Sequence, residues 1–305
     1  MNKIFVLITI LLSILLSACG KGVVDVSNES YEPKIVIEGF LVAHQKVDNI
    51  RISRNFPIGA NLQKLSLLPK AHQTFVLIYD LATEMHCALS FHSNEHNSLD
   101  SCYWYDAHNQ LNIRPGQSYR LEVRATIEGK KLYAWATTTV PPEGFRIAHQ
   151  NYDSLRYRER DAEGNLKGFS MLIDRAPGTT FYLTTMRALN TGPENFIYDN
   201  PYVHLEPDEV EDETDNFDYN WLQNTPSVAG QSKVDFYWIS LLFYGTYEVI
   251  IYAADKNYTQ FVQTYRYVQE PDGNFHEAKF AVEGDGIGVF GSMVADTTAI
   301  KVLRD

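Results

Sequence analysis

Polar and apolar residues alternate with a period of two through most of the chain. From Ser118 to Ile127, Tyr119, Leu121, Val123, Ala125 and Ile127 share one face, while Arg120, Glu122, Arg124 and Thr126 share the other. That is the pattern of a half-buried antiparallel strand. Glu128-Gly129-Lys130 supplies a turn, and Lys131 to Val140, rich in β-branched and aromatic residues, returns as the hairpin partner. Upstream, Lys34 to Val42, Asn49 to Ser53, Thr74 to Tyr79 and His86 to Phe91 read as further strands. About six short strands in this stretch match the count of an immunoglobulin-like β-sandwich. Pro141-Pro142 cannot continue a ladder and marks the expected boundary between a domain over 33–141 and a second over 142–305.

The second half opens with an expected hairpin, Ser154 to Arg160 against Gly168 to Asp174, turning at Asp161-Ala162-Glu163-Gly164. Thr180 to Ala188, Lys233 to Ala253 and Thr298 to Leu303 supply more strand material. One helix interrupts them. After Asp255, a good N-cap, Tyr258, Phe261, Val262, Tyr265 and Val268 recur at helical spacing, and Pro271-Asp272-Gly273-Asn274 ends the pattern. The expected fold is mainly β, with an N-terminal immunoglobulin-like β-sandwich and a β-rich, sandwich or barrel-like C-terminal domain carrying one packed helix.

The first residues follow a different rule. Met1-Asn2-Lys3 is cationic, Ile4 to Leu16 is apolar but for Thr9 and Ser13, and Leu16-Ser17-Ala18-Cys19 closes the run. Its length suits the h-region of an export signal rather than a mature membrane span. Small residues directly before a Cys form a bacterial lipoprotein signal, so 1–18 is expected to be removed and Cys19 to carry lipid. Two or three acyl chains, at about 0.8 kcal/mol per buried CH₂, hold a protein stably at a membrane. Gly20 follows the Cys, which favours delivery to the outer membrane, and 19–32 reads as a flexible tether. In an exported chain the remaining cysteines, Cys87 and Cys102, are expected to form a disulfide.

The formal net charge of −12 excludes the basic footprint of a nucleic-acid-binding protein and a polybasic lipid-docking patch. At 305 residues the chain has room for about two domains with a core in each.

Four stretches, taken in order, resemble a family of Bacteroidota outer-membrane lipoproteins defined by a domain of unknown function. They are the lipobox at Cys19, IVIEGFLV (Ile35 to Val42) with IRISRNF ending at Phe56, TTTVPP (Thr137 to Pro142), and GDGIGVFGS (Gly284 to Ser292). Members are commonly encoded beside TonB-dependent receptors. The resemblance implies the two-part β architecture and display at the outer membrane, on its surface or its periplasmic face. It transfers no catalytic residue. A non-catalytic binding or assembly partner of such a receptor is therefore expected, without a cofactor. The rival is a cell-surface hydrolase acting on glycans or peptides.

Other strings carry chemistry only in the right setting. Gly286 to Gly291 fits GxGxxG, but a dinucleotide site needs that string between a strand and a helix. Here it predicts a bulged or closely packed last strand. His92-Ser93-Asn94-Glu95-His96 fits HxxEH, yet its Ser- and Asn-rich surroundings do not form the helix a zinc site requires. No metal site is expected. Glu206 to Asp218 holds eight acidic residues in thirteen and reads as a self-repelling surface loop rather than a Ca²⁺ site. Tyr103, Trp104, Tyr105, Tyr219 and Trp221 are either sandwich core or, where exposed, contacts for a ligand or partner.

Overall fold

A computed structural model describes residues 31–57, 74–93, 102–212, 219–223, 230–265 and 279–304, with backbone alone at 212 and 219–223. Cys19, Glu95, His96 and the acidic residues from 213 to 218 lie outside them. Pro33–Asn55 and Ser66–Asp305 form one compact unit. It is mainly β, as the alternation predicts. Among the described residues no helix is long and apolar enough to cross a membrane.

The strands are β1 Ile35–Val42, β2 Arg51–Arg54, β3 Thr74–Asp80, β4 His86–Ala88, β5 Ser90–His92, β6 Tyr103–Tyr105, β7 Ser118–Ile127, β8 Lys130–Thr139, β9 Arg146–Gln150, β10 Ser154–Arg156, β11 Phe169–Asp174, β12 Tyr182–Ala188, β13 Tyr219–Gln223, β14 Gln231–Phe236, β15 Gly245–Ala254, β16 Val282–Gly284 and β17 Gly286–Leu303. Among the described residues two α-helices join them, α1 Pro207–Asp212 and α2 Lys256–Tyr265. A five-stranded sheet runs β16-β8-β7-β3-β4, and a larger sheet runs β13-β12-β15-β17-β1-β2 with β10 also on β17. Two small sheets, β14-β11-β9 and β5-β6, complete the set.

β7 and β8 form where the alternation places them. Tyr119, Leu121 and Val123 of β7 and Ala134 and Ala136 of β8 are fully buried. Each large side chain of this kind contributes roughly 1.5–3 kcal/mol on burial. Glu128 and Gly129 both adopt positive φ, 51° and 79°, the two-residue turn whose twist matches a hairpin. Tyr119 is a tyrosine corner. Its hydroxyl donates to the Asn112 carbonyl at 3.0 Å and accepts from the Arg114 N–H at 2.9 Å, a hallmark of immunoglobulin-like sandwiches. The inner faces of both large sheets contribute to one hydrophobic cluster.

β17 belongs to both halves of the chain. Its first eight residues pair in parallel with β1, from Ile35↔Gly286 to Val42↔Met293, and its remainder pairs antiparallel with β15. The GxGxxG string therefore lies inside a strand, and the glycines serve close packing. A Cβ on Gly286 would stand 2.6 Å from the Ala134 Cβ, and one on Gly288 would stand 2.0 Å from the Ile37 carbonyl oxygen.

Two expectations change. The Ser154–Asp174 hairpin is not formed: β10 joins β17 in parallel through Ser154↔Lys301, and β11 pairs with β9 and β14. The predicted turn is present, with the Gly164 N–H on the Asp161 carbonyl at 3.1 Å, but it closes only the bridge Arg160↔Leu166. The acidic stretch begins as a helix rather than a loop. Pro207 opens α1, the Glu209 carboxylate reaches back to the Glu206 N–H at 2.8 Å, and Val210 is fully buried. A proline in the first turn with a returning Glu is a helix-start signal that the charge density masks.

Helix α2 starts as predicted. Asp255 caps it, its carboxylate accepting the Tyr258 N–H at 3.0 Å. Tyr258 and Val262 pack against Phe40, Phe181, Ala254 and Met293.

Candidate functional site

Alternation on three neighbouring strands builds the outer face of the five-stranded sheet. Registers Phe75↔Arg124↔Tyr133 and Leu77↔Glu122↔Trp135 give two rungs across β3, β7 and β8, and Tyr79↔Arg120↔Thr137 gives a third. The opposite side of each strand is core, so these residues point outward. Phe75 is 60% exposed.

The rungs lock together. The Tyr133 and Trp135 rings stack with centroids 5.2 Å apart and planes 27° apart. The Arg124 guanidinium lies 5.5 Å from the Tyr133 centroid and that of Arg120 lies 5.5 Å from Trp135. Arg120 Nη2 also donates to the Tyr133 hydroxyl at 3.2 Å. Glu122 stands between the two arginines, 3.1 Å from Arg120 Nε and 3.9 Å from Arg124 Nη2. Exposed pairs of this sort are worth about 0.5–1 kcal/mol each. Their main effect is to hold long side chains still, which lowers the ordering cost of binding.

Beside this stack runs a groove of about 910 Å³ lined by Phe75, Leu77, Glu122, Arg124, Lys131 and Tyr133, among others. Its walls are apolar with a few charged groups, the usual make-up of a binding cleft. A second cleft of about 760 Å³ is lined by Asp255, Asn257, Glu283 and several threonines. Asp255 is almost fully buried there, and its carboxylate is committed. Thr138 donates to it at 2.6 Å, as do backbone N–H groups of Asn257, Tyr258 and Ser292. Burial raises its pKa above the usual aspartate value, against the pull of those hydrogen bonds.

Tyr103, Trp104 and Tyr105 do not line the groove. Trp104 is buried, 5.3 Å from the Phe91 ring, and its backbone bridges to Ile50. Tyr103 and Tyr105 are half-buried and pack on His92, at 4.7 and 6.3 Å. Tyr219 and Trp221 sit on β13, their backbones opposite Met186 and Thr184. His92 ends β5, and among the described residues no group of three His, Cys, Asp or Glu could hold a metal ion. The outward rings of β3 and β8 were open to detection. Large apolar residues recur at the same outward parity on strands whose middle partner is Arg-Glu-Arg, which breaks the polar-out pattern.

The expected disulfide is a correction. Cys87 and Cys102 are free, buried thiols. In the β5–β6 ladder Phe91 pairs with Trp104 and His92 with Tyr103. Cys87 sits on β4 of the five-stranded sheet, opposite Ile78, while Cys102 directly precedes β6 of the separate β5–β6 sheet. Cys87 instead faces Asp106. Burial, then the charge and hydrogen bond of that carboxylate, push its thiol up to about 11. We expect alkylating reagent at pH 8 to spare Cys87 in the folded protein and to modify both thiols in urea without reductant. A need for reductant would restore the bridge.

Fold and site define a class: a mainly β chain of packed sheets with a groove walled by stacked rings and guanidinium groups. Residues 23–298 match the family described as Domain of unknown function (DUF4249), and the chain belongs to it. The comparison with curated proteins gives no match. Among solved structures, a chain from work on a 1.5-MDa bacterial ice-binding adhesin retained at a host cell surface is 10% identical, with TM-score 0.21. The alignment covers 90% of this chain and 65% of that one. The FN1–FN3 domains of chicken CNTN1 are 9% identical, with TM-score 0.16, over 87% of this chain and 66% of that one. This chain thus spans a little under two thirds of each. At these TM-scores neither structure bears on its function.

Proposed function

We propose that this protein is an outer-membrane lipoprotein, held through acyl chains on Cys19, that acts as a non-catalytic binding or assembly partner of a TonB-dependent receptor. The observation that supports the binding role is the outward Arg–ring stack beside the 910 Å³ groove. Trp, Tyr and Arg dominate interface hot spots because they offer large contact area and directional hydrogen bonds at low ordering cost. The anchor rests on the cationic start, apolar run and small-residue pair before Cys19. The hydrolase alternative would need convergent polar groups free to react. In the groove Glu122 is held between two arginines, and in the second cleft Asp255 is held by Thr138 and its own helix.

The reading predicts that the protein fractionates with outer membranes and copurifies with a TonB-dependent receptor. Cys19→Ala is expected to move most of it to the soluble fraction. Retention of that variant on the membrane would contradict the anchor, and purification free of any receptor would contradict the partner.

A further inference from the structure

The binding reading leaves the occupant of the groove open, and we propose that it is an acidic, extended peptide segment of a partner protein, with apolar side chains over Phe75 and Leu77 and carboxylates on Arg124 and Lys131. This rests on that reading.

Charge complementarity points to an acid. The chain carries −12, yet this groove offers Arg124 and Lys131. Its Glu122 is only 12% exposed and already engaged by Arg120 and Arg124, whereas the Arg124 side chain is 64% exposed. The guanidinium is held on the Tyr133 ring, so it meets a carboxylate with little further ordering. The acidic remainder of the molecule repels long polyanions and favours a short acidic stretch.

Ring geometry points to a peptide rather than a sugar. Tyr133 and Trp135 each carry the other ring and a guanidinium, which leaves Phe75 alone among these three rings as an open face and gives a sugar no broad platform. Phe75 and Leu77 remain as an apolar wall that suits the alternate side chains of an extended segment. The segment is read by side chains and not by strand addition. β7 is paired on both sides, β4 covers β3 from Leu77 to Tyr79, and β16 covers β8 from Ala134 to Ala136, so over those stretches no edge is open to a further strand.

The test uses full-length protein in detergent and a labelled octapeptide alternating Glu and Phe, with the Lys–Phe counterpart as control, read by fluorescence anisotropy. The Glu–Phe peptide is expected to bind, and to bind less as salt rises. Arg124→Gln with Lys131→Gln, or Phe75→Ser alone, should each weaken it about tenfold or more. Unchanged thermal unfolding of these outward-facing variants keeps the loss attributable to contacts. Three results would overturn the proposal: equal binding of the Lys–Phe peptide, indifference to the double substitution, or displacement of the peptide by polygalacturonate or phosphatidylglycerol vesicles. Peptide binding without receptor copurification would instead fault the receptor reading and leave the groove's chemistry standing.

Discussion

Replacing Gly288 by Ala is expected to destabilise the protein by about 4 kcal/mol or more, enough to deplete the folded form. Two costs combine. Gly288 has φ of 114°, a conformation that L side chains rarely adopt. The new Cβ would also stand 2.0 Å from the Ile37 carbonyl oxygen and 3.0 Å from its backbone carbon and nitrogen. That obstacle is backbone, and it belongs to the paired residue of β1, since Ile37↔Gly288 is a rung of the parallel ladder. Relief requires β1 and β17 to part in the middle of the larger sheet. Gly116→Ala is the control. It has φ of 75° but nothing within 4 Å of the new Cβ, so only the backbone term of roughly 1–2 kcal/mol applies. Urea unfolding of both variants separates the terms. Equal costs would mean that β1 and β17 do not meet as described.

The second large effect is expected at Asp255. Its carboxylate caps α2, accepts from Thr138 at 2.6 Å, and through Thr138 is linked to the Ser292 hydroxyl 2.7 Å away. Asn257 continues the node, its amide donating to the carbonyls of Thr137 at 2.7 Å and Phe290 at 3.1 Å. β8, β17 and the start of α2 are thus joined at one buried point. Asp255→Ala removes a cap worth about 1 kcal/mol and leaves the Thr138 hydroxyl without its acceptor, at about 1–3 kcal/mol. The expected loss is on the order of 3 kcal/mol.

Asp255→Asn keeps an acceptor for the Tyr258 N–H and should cost less than half as much. The two differ again in their response to pH. Because burial raises the folded pKa of Asp255 above its usual 3.8, the folded state binds this proton more tightly than the unfolded chain does. The group's contribution is full below pH 3.8 and is lost as pH rises through the folded value. The Asn variant should lack that decline. A decline of the same size in both would assign it to other groups.

How far the sequence carried depends on how local each signal was. The β7–β8 hairpin was legible because its alternation, turn and partner lie within one short stretch. Helix α2 was legible because Asp255 and the aromatic spacing after it are local too. The pairing of β1 with β17 was not, since period-two patterning says which face is buried and nothing about which strand lies alongside. The same gap explains the Ser154–Asp174 hairpin. The Asp161–Gly164 turn signal was real, but β10 finds its neighbour at Lys301. For Cys87 and Cys102, export favours pairing, while the fold places one on β4 of the five-stranded sheet and the other beside β6 of a separate sheet, both as free thiols. At the candidate site the alternation alone places Arg120, Glu122 and Arg124 on the outward face of β7. In the sequence Phe75, Tyr133 and Trp135 read as strand formers, and it is the three-strand register that gathers them around those charges.

The most direct test of the binding account is a photo-crosslinking amino acid placed at Phe75 in the lipidated protein, irradiated in native outer membranes, with Tyr202 as a control position that is 68% exposed and does not line the groove. The account predicts a crosslink from position 75 to a TonB-dependent receptor, identified by mass spectrometry, and none from position 202. Crosslinking to the receptor from 202 alone, or from neither position while the receptor is present, would contradict it.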